Sequence, residues 1–498
     1  MNVNPITRLD YPDPDVIRVE DTYYMVSTTM HFMPGCEILQ SFDLVHWEHA
    51  TYVYETLDHT DAQQLKSGQN IYGQGMWAAS LRYHEGRFYI CFVANDTRKT
   101  YLYTSEKIDG PWKKQLIEGF YHDGSLLFDE DGRNYIVYGN DEIWITELNE
   151  DLTAPKKGGL HRLLVSDHKN PELGYEGSHI QKINGYYYIF LIHSLRDRWM
   201  RTEACFYSDS LEGEFTGGDV LCDDRGYCGQ GVAQGGIVDT PDGKWYAMLF
   251  QDSGAVGRIP ILLPVTWKDH FPFFGQNGHV PEEIEVHSTR PEYIYQPLVG
   301  SDDFCNGLLP RWQFNHDPDP RYYHLDALQG TYTITTREVC TELTQAVNTL
   351  TQRMSYPSCA AEVTVDASAL KEGDVAGLCA LQGCYAAVGI TKHHGKYEVL
   401  MLDKKEDGIL DMTEGTVVES HQMDFRLEAD FCNMKDEARC YYRVNKGDWL
   451  PIGTVHKLYF KLDHFTGCRF GLFCYAAEET GGSACFRDFK YYDVDEIS

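Results

Sequence analysis

Long apolar runs are missing from this sequence. No stretch approaches the roughly 18 consecutive apolar residues of a membrane-spanning helix, so nothing reads as a membrane span. Positive charge is scarce. Lys and Arg total 43 against 75 Asp and Glu, a formal net charge of −32. That balance argues against nucleic acid or an anionic bilayer as partner and favours a neutral substrate or a cation. The 15 cysteines contain no Cys-x-x-Cys pair and no other metal-ligand spacing. An odd, scattered set argues against a disulfide framework and for a reducing compartment. Most read as small buried apolar residues, as in Leu378-Cys379-Ala380 and Leu472-Phe473-Cys474-Tyr475. The start, Met1-Asn2-Val3-Asn4-Pro5, has no basic n-region and no apolar h-region, so a cytoplasmic location without a signal peptide is expected. Three chemical signatures are also missing: a Gly-x-Ser-x-Gly nucleophile elbow, a Walker loop and a dinucleotide fingerprint.

Aromatic residues, by contrast, are plentiful: they make up 13% of the chain, with 34 Tyr among them. Such a composition suits β-strands and also a surface on which sugars stack. With 498 residues the chain exceeds the roughly 250–300 at which a single core stops growing, so two domains are expected.

A turn, an aromatic pair and an apolar run recur along the first three hundred residues. The copies are Asp21-Thr22-Tyr23-Tyr24, Glu85-Gly86-Arg87-Phe88-Tyr89, Asp131-Gly132-Arg133-Asn134-Tyr135, Asn184-Gly185-Tyr186-Tyr187-Tyr188 and Asp242-Gly243-Lys244-Trp245-Tyr246. Asn-Gly and Asp-Gly favour tight hairpins because both central residues tolerate positive φ. Several copies are followed by a strand and a loop ending in an aromatic, at Trp47, Trp112, Phe215 and Trp267. Five copies spaced 46–65 residues apart match four-stranded propeller blades better than a large sandwich, which does not usually repeat one motif five times. The fold class is therefore all-β, with a five-bladed β-propeller over residues 1–300.

The pattern stops near Pro297. Beyond Asp302-Asp303-Phe304 and Pro310-Arg311-Trp312 come alternating runs, among them Tyr332-Thr333-Ile334-Thr335, Ala361-Glu362-Val363-Thr364-Val365 and Lys457-Leu458-Tyr459-Phe460-Lys461-Leu462. Long helical periodicity is missing there, and residues 301–498 read as a β-sandwich.

In a propeller the innermost strands line a central pocket, so carboxylates at their ends meet although far apart in sequence. Three segments place one at a turn beside a strand of a different blade: Tyr11-Pro12-Asp13-Pro14-Asp15, Tyr121-His122-Asp123-Gly124-Ser125 and Tyr175-Glu176-Gly177-Ser178-His179. Singly, each has a plain reading as a turn residue or a solvated acid. Together, one per blade, they suit cleavage of a glycosidic bond.

Here the chain resembles glycoside hydrolase family 43, the β-xylosidases and α-L-arabinofuranosidases. The matching stretches are Asn4-Pro5-Ile6, Tyr11-Pro12-Asp13-Pro14, Met33-Pro34-Gly35, Trp77-Ala78, Asp123-Gly124-Ser125, Glu176-Gly177-Ser178-His179 and Leu263-Pro264-Val265-Thr266-Trp267. Asp302-Asp303-Phe304, Pro310-Arg311-Trp312 and Phe465-Thr466-Gly467 are similar to the family's appended concanavalin-like sandwich. The resemblance implies that Asp13 is the general base activating water, that Glu176 is the general acid, and that Asp123 orients Glu176 and raises its pKa. Asp15 competes with Asp13, but the family pattern has a small polar residue there. An inverting mechanism needs a carboxylate and a carboxylic acid on opposite faces of the sugar with room for water.

Trp77 and Phe32 are candidates for sugar stacking, each with an alternative reading as a core aromatic. By resemblance, Arg258 reaches the sugar hydroxyls and the carboxylates, and Phe465 of the sandwich leans over the pocket. That wall implies a shallow, blind pocket and removal of one terminal sugar from xylo- or arabino-oligosaccharides. No cofactor is required for such chemistry. The family's axial His, often beside calcium, is replaced here by Gln234, which leaves a structural Ca2+ open. The segment His193–Met200 replaces a Gly-rich stretch and is expected at the pocket mouth, so xylose and arabinose both stay open, as does a homo-oligomer. Two rival readings are an invertase-like fructosidase, for which Glu203-Ala204-Cys205 is a superficial match, and a non-catalytic carbohydrate-binding propeller. The first lacks its Asn-Asp-Pro-Asn sequence here, and the second is disfavoured by the presence of all three carboxylates.

Overall fold

The computed structural model describes residues 3–493, so Met1 and Asn2, on which part of the leader reading rests, lie outside the described residues. Five antiparallel four-stranded sheets follow in chain order. Blade 1 is Asp15–Val19, Thr22–Ser27, Gly35–Ser41 and Glu48–Tyr54; blade 2 is Met76–His84, Arg87–Ala94, Lys99–Ser105 and Lys113–Ile117. Blade 3 is Ser125–Phe128, Asn134–Asn140, Glu142–Leu148 and His161–Ser166; blade 4 is Glu176–Ile183, Tyr186–Ser194, Arg201–Ser208 and Thr216–Leu221. Blade 5 is Val232–Asp239, Trp245–Asp252, Arg258–Lys268 and Phe271–Phe274. The first strands of neighbouring blades touch in a ring, blade 5 returning to blade 1. The repeated aromatics Tyr24, Tyr89, Tyr135, Tyr188 and Tyr246 all fall in the second strand of their blade.

The four glycine-containing hairpins divide in two. Glu85-Gly86 and Asn184-Gly185 take positive φ at both residues, as expected. At Asp131-Gly132 and Asp242-Gly243 only the glycine does. There the turn is one residue wider, closed by Asp129 N–H to Arg133 O and Thr240 N–H to Lys244 O, so the aspartate keeps ordinary backbone.

Among the described residues no strand is exchanged to close the ring. Instead Asn4 clamps blade 5: its Nδ2 donates to Leu262 O at 2.7 Å and its Oδ1 accepts Leu262 N–H at 2.8 Å. Two buried bonds across 258 residues fix where the chain re-enters blade 1, and with it Asp13.

The sandwich packs a seven-stranded sheet on a nine-stranded one. Trp312, Tyr332, Leu350, Val363, Phe425, Phe470 and Phe486 belong to the core between them. Two expectations fail. Phe32 is no pocket wall: Phe32–Met33 is an edge strand of the larger sandwich sheet, paired with Gln313–Asn315. Its ring is 1% exposed and lies under the Arg469 guanidinium at 3.4 Å. The aromatic is spent joining the two domains. The alternating run Lys457–Leu462 is also no strand beyond Lys457. Leu458 is buried, but the consecutive Phe460, Lys461 and Leu462 all line a cavity, so the run departs from strand alternation after Leu458. Among the described residues no helix is long and apolar enough to cross a membrane.

Candidate active site

Asp13 and Asp123 stand just before the first strands of blades 1 and 3, and Glu176 opens the first strand of blade 4. Asp13 and Asp123 hold left-handed backbone, φ 53° and 47°, uncommon for non-glycine residues and found where a side chain must be aimed. Gly177, at φ 65°, follows Glu176 with its Cα against the Gln234 amide; an added Cβ would lie 2.7 Å from that side chain. Its N–H donates to Asp123 Oδ2 at 3.1 Å. A larger residue there would have to displace the Gln234 side chain.

The three carboxylates share one cavity of about 950 Å³. That is near the top of the usual range for small-molecule sites, with room for a terminal sugar together with what it is attached to. Asp13 accepts from Thr28 Oγ1 at 2.6 Å and from Arg258 Nη1 at 3.0 Å. Glu176 Oε2 accepts from Asn140 Nδ2 at 2.7 Å. His122 Nε2 lies 3.5 Å from Glu176 Oε2 and 3.6 Å from Asp123 Oδ2. Asp123 is pushed up to about 6, chiefly by burial, against the pull of His122. His122 is raised to about 9, first by Asp123, then against burial by Glu176 and Asp13.

Trp77, Arg258, Gln234 and Phe465 line the same cavity as the carboxylates. Phe465 comes from the sandwich; its ring sits 4.2 Å from the Arg258 guanidinium and 5.5 Å from Trp77. Gln234 is largely a support, its N–H bonded to Glu203 Oε2 at 2.7 Å and its amide under Gly177. Of the segment after the acid, Trp199 lines the cavity, whereas His193 turns away to Asp219 at 2.8 Å.

Sequence reasoning missed several residues. Thr28 and Asn140 carry no motif at all. His122 stood inside a quoted motif without a role. Arg201 and Asp252, about nine-tenths buried, form an ion pair at 2.7 Å on the cavity wall beneath Trp199. Only the exchange of the Gly-rich stretch hinted at them.

Asp15 is excluded from the cavity. It is fully buried on the propeller axis, bonded to Leu81 N–H and Arg82 Nη1, both at 2.7 Å, and to His179 Nδ1 at 3.0 Å. Burial alone would raise it, yet Arg82 and His179 hold it below the usual carboxylate range. Arg82 also donates to Ser125 Oγ and to the carbonyls of Leu126 and Ile180, so one guanidinium joins blades 1 to 4. A calcium ion needs six or more oxygen ligands. The axis instead carries a cation that already neutralises its carboxylate, and these residues do not fit calcium. His122, Asp123 and Glu176 do bring one nitrogen and two oxygens within 4.8 Å of one another, but two oxygens fall well short of the six or more that calcium takes.

Comparison with known proteins agrees with this geometry. The family model described as "Glycosyl hydrolases family 43" matches residues 3–272, and "Beta xylosidase C-terminal Concanavalin A-like domain" matches residues 301–492. A "Beta-xylosidase" of Formosa agariphila is 26% identical over 99% of this chain and 89% of its own. A "Xylosidase/arabinosidase" of Butyrivibrio fibrisolvens is 24% identical over 99% of both. Among solved structures, a "Bifunctional GH43-CE" protein of Bacteroides eggerthii superposes with a TM-score of 0.93 at 42% identity, covering 100% of this chain and 64% of that one. The chain thus spans about two thirds of that longer protein. An engineered GH43 enzyme described as both endo-xylanase and exo-arabinofuranosidase gives a TM-score of 0.87 at 28% identity over 99% of each chain. With three propeller carboxylates in one cavity and both family models matched in order, the chain belongs to glycosyl hydrolases family 43 and carries the family's concanavalin-like sandwich.

Proposed function

We propose that the protein is an exo-acting, inverting glycosidase that removes a terminal β-D-xylose or α-L-arabinofuranose from hemicellulose oligosaccharides. The observation that carries this is the convergence of Asp13, Asp123 and Glu176 from three blades on one cavity walled by Phe465. The related proteins named β-xylosidase and xylosidase/arabinosidase support the sugar class.

In this reading Asp13 is the base. Arg258 and Thr28 occupy one lone pair on each of its oxygens and fix its plane, leaving the others for a water. Glu176 is the acid. Asn140 ties Oε2, so Oε1 is the oxygen free to carry the proton to the glycosidic oxygen. Water attacks from the Asp13 side as the leaving oxygen takes the Glu176 proton, and the anomeric configuration inverts. The chemistry uses two carboxyl groups and no cofactor. Trp77 and Phe465 offer the flat apolar faces of the pocket, and the Arg201–Asp252 pair offers a donor and an acceptor for sugar hydroxyls. A cytoplasmic location belongs to the same proposal, on the odd and scattered cysteine set of the sequence.

The test is proton NMR of the first product from xylobiose and from a nitrophenyl arabinofuranoside. Release of the inverted anomer supports the assignment. Release of the retained anomer, or internal cutting of xylan with both small substrates untouched, overturns it.

A further inference from the structure

With Asp13 read as base and Glu176 as acid, one ionisable group on the cavity floor is left without a task. His122 faces Asp123 of blade 3, Glu176 of blade 4, Asp13 of blade 1 and the Trp77 ring of blade 2 at 5.9 Å. Arg201 is paired with Asp252, and Arg98, over the Phe120 ring at 3.9 Å, is not among the main charges acting on His122 or Asp123. Lys461 is paired with Glu406, and Glu172 is exposed at the mouth. The floor therefore holds three carboxylates and two cations, Arg258 and His122.

That count matters because the mechanism needs one carboxylic proton and no more. Three carboxylates sharing one proton carry two negative charges, which Arg258 and a charged His122 balance. Take away the His122 charge, and a dry floor recovers neutrality by binding a second proton. Asp123 is the carboxylate placed to take it: it is 6% exposed and has His122 as its neighbouring cation.

We propose that His122 acts as an imidazolium that keeps Asp123 ionised and so limits the floor to a single carboxylic proton, the one the acid donates. It is a positioning residue, acting through Asp123 and Glu176, and this inference rests on the roles proposed above for Asp13 and Glu176. Its direction agrees with the raised His122 and with Asp123 being pushed only to about 6 rather than further.

The experiment is the pH profile of kcat/KM on a nitrophenyl glycoside for the wild type, His122→Gln and His122→Lys, with circular dichroism to confirm folding. The expected result is an acid limb moved up by about one unit in His122→Gln, a roughly tenfold loss below the limb. His122→Lys, which restores the charge, returns the limb toward the wild-type position. Superimposable normalised profiles, whatever the overall loss, overturn the proposal. So does 15N NMR of histidine-labelled wild type if it finds a neutral His122 at pH 7, a readout that needs neither turnover nor a folded variant. A wild type inactive on both pentosides would instead count against the proposed function, and the NMR measurement would still decide the charge of His122.

Discussion

Three histidines, His31, His316 and His464, meet where the sandwich docks on the propeller. All are at most 3% exposed, with His31 to His316 ring centroids 4.8 Å apart and His31 to His464 5.1 Å apart. Tyr72 stacks on His464 at 4.5 Å, and His316 Nε2 accepts the Ile71 N–H at 3.0 Å, a bond that a protonated ring cannot accept. Burial, followed by mutual repulsion or by Arg469, drives all three below the ordinary histidine range, His464 to about 3. The sign follows. Below the unfolded value the unfolded chain takes up protons that the folded chain refuses, so stability falls with pH. For His464 the window runs from about 6.5, the unperturbed histidine value, down to about 3.

At pH 5 one such histidine costs about 2 kcal/mol of stability relative to pH 7.5. The overall pH dependence will not display this cleanly. Asp123, Asp317, Asp374 and Asp436 are each raised to about 6 by burial, and they favour the folded state as pH falls from there toward about 4. The difference between two proteins isolates the histidine. His464→Asn removes one titrating group, so urea unfolding should find it destabilised at pH 7.5, with the gap to wild type narrowing by about 2 kcal/mol at pH 5. A gap of equal size at both pH values would refute the reasoning, because His464 would then titrate alike in folded and unfolded chains.

Three other outcomes are expected. Glu176→Ala should lose about 10²–10⁴-fold on xylobiose but far less on a nitrophenyl glycoside, whose leaving group departs without help, whereas Asp13→Ala should lose on both; equal losses in Glu176→Ala would contradict the acid role. Arg82→Met should cost about 3–5 kcal/mol in chemical denaturation by taking the guanidinium from a buried Asp15 that keeps only the Leu81 N–H and His179, and a variant as stable as wild type would show that the axial guanidinium is dispensable. Asp252→Asn should change kcat/KM for the nitrophenyl xyloside and arabinofuranoside unequally, by about tenfold or more in their ratio, while parallel losses would remove the Arg201–Asp252 pair from sugar recognition.

Most of the propeller was legible because its signals are local. A turn, an aromatic pair and an apolar run repeat in sequence, and each marks the second strand of a blade. The three carboxylates were legible for a related reason: each stands at a fixed step before or at an inner strand. What the sequence hid depends on contacts across the fold. Phe32 reads equally as a sugar-stacking or a core aromatic until Gln313–Asn315 pairs with it from the other domain. Arg82 carries no signal in the sequence, since nothing nearby announces that its guanidinium will meet Asp15, Ser125 and Ile180. Lys457–Leu462 misled in the opposite sense. Its apolar spacing suits a strand, but Phe460, Lys461 and Leu462 face the cavity one after another, as only an irregular loop allows.

The wall, the cation and the base are fixed by a single carboxylate that carries no catalytic role. Asp10 is 5% exposed; its Oδ1 accepts the Arg258 N–H and its Oδ2 the Gly467 N–H, both at 2.8 Å. Gly467 lies two residues after Phe465, and Asp10 three before Asp13. The approach is so close that a Cβ at Gly257 or Gly467 would fall 2.3 or 2.6 Å from Asp10 atoms. Two glycines thus let the propeller and sandwich backbones close on one side chain. From the other side Arg353 of the sandwich donates to the Asp10 carbonyl at 2.9 Å and pairs with Glu37 of blade 1 at 2.8 Å. A buried carboxylate receiving two N–H groups has little freedom to rotate. The Phe465 ring therefore holds a set distance from Arg258, and Arg258 from Asp13. Docking of the sandwich is in this sense part of building the base: without it Asp10 loses Gly467 and Arg353 together, and the cation that orients Asp13 loses the ring that covers it.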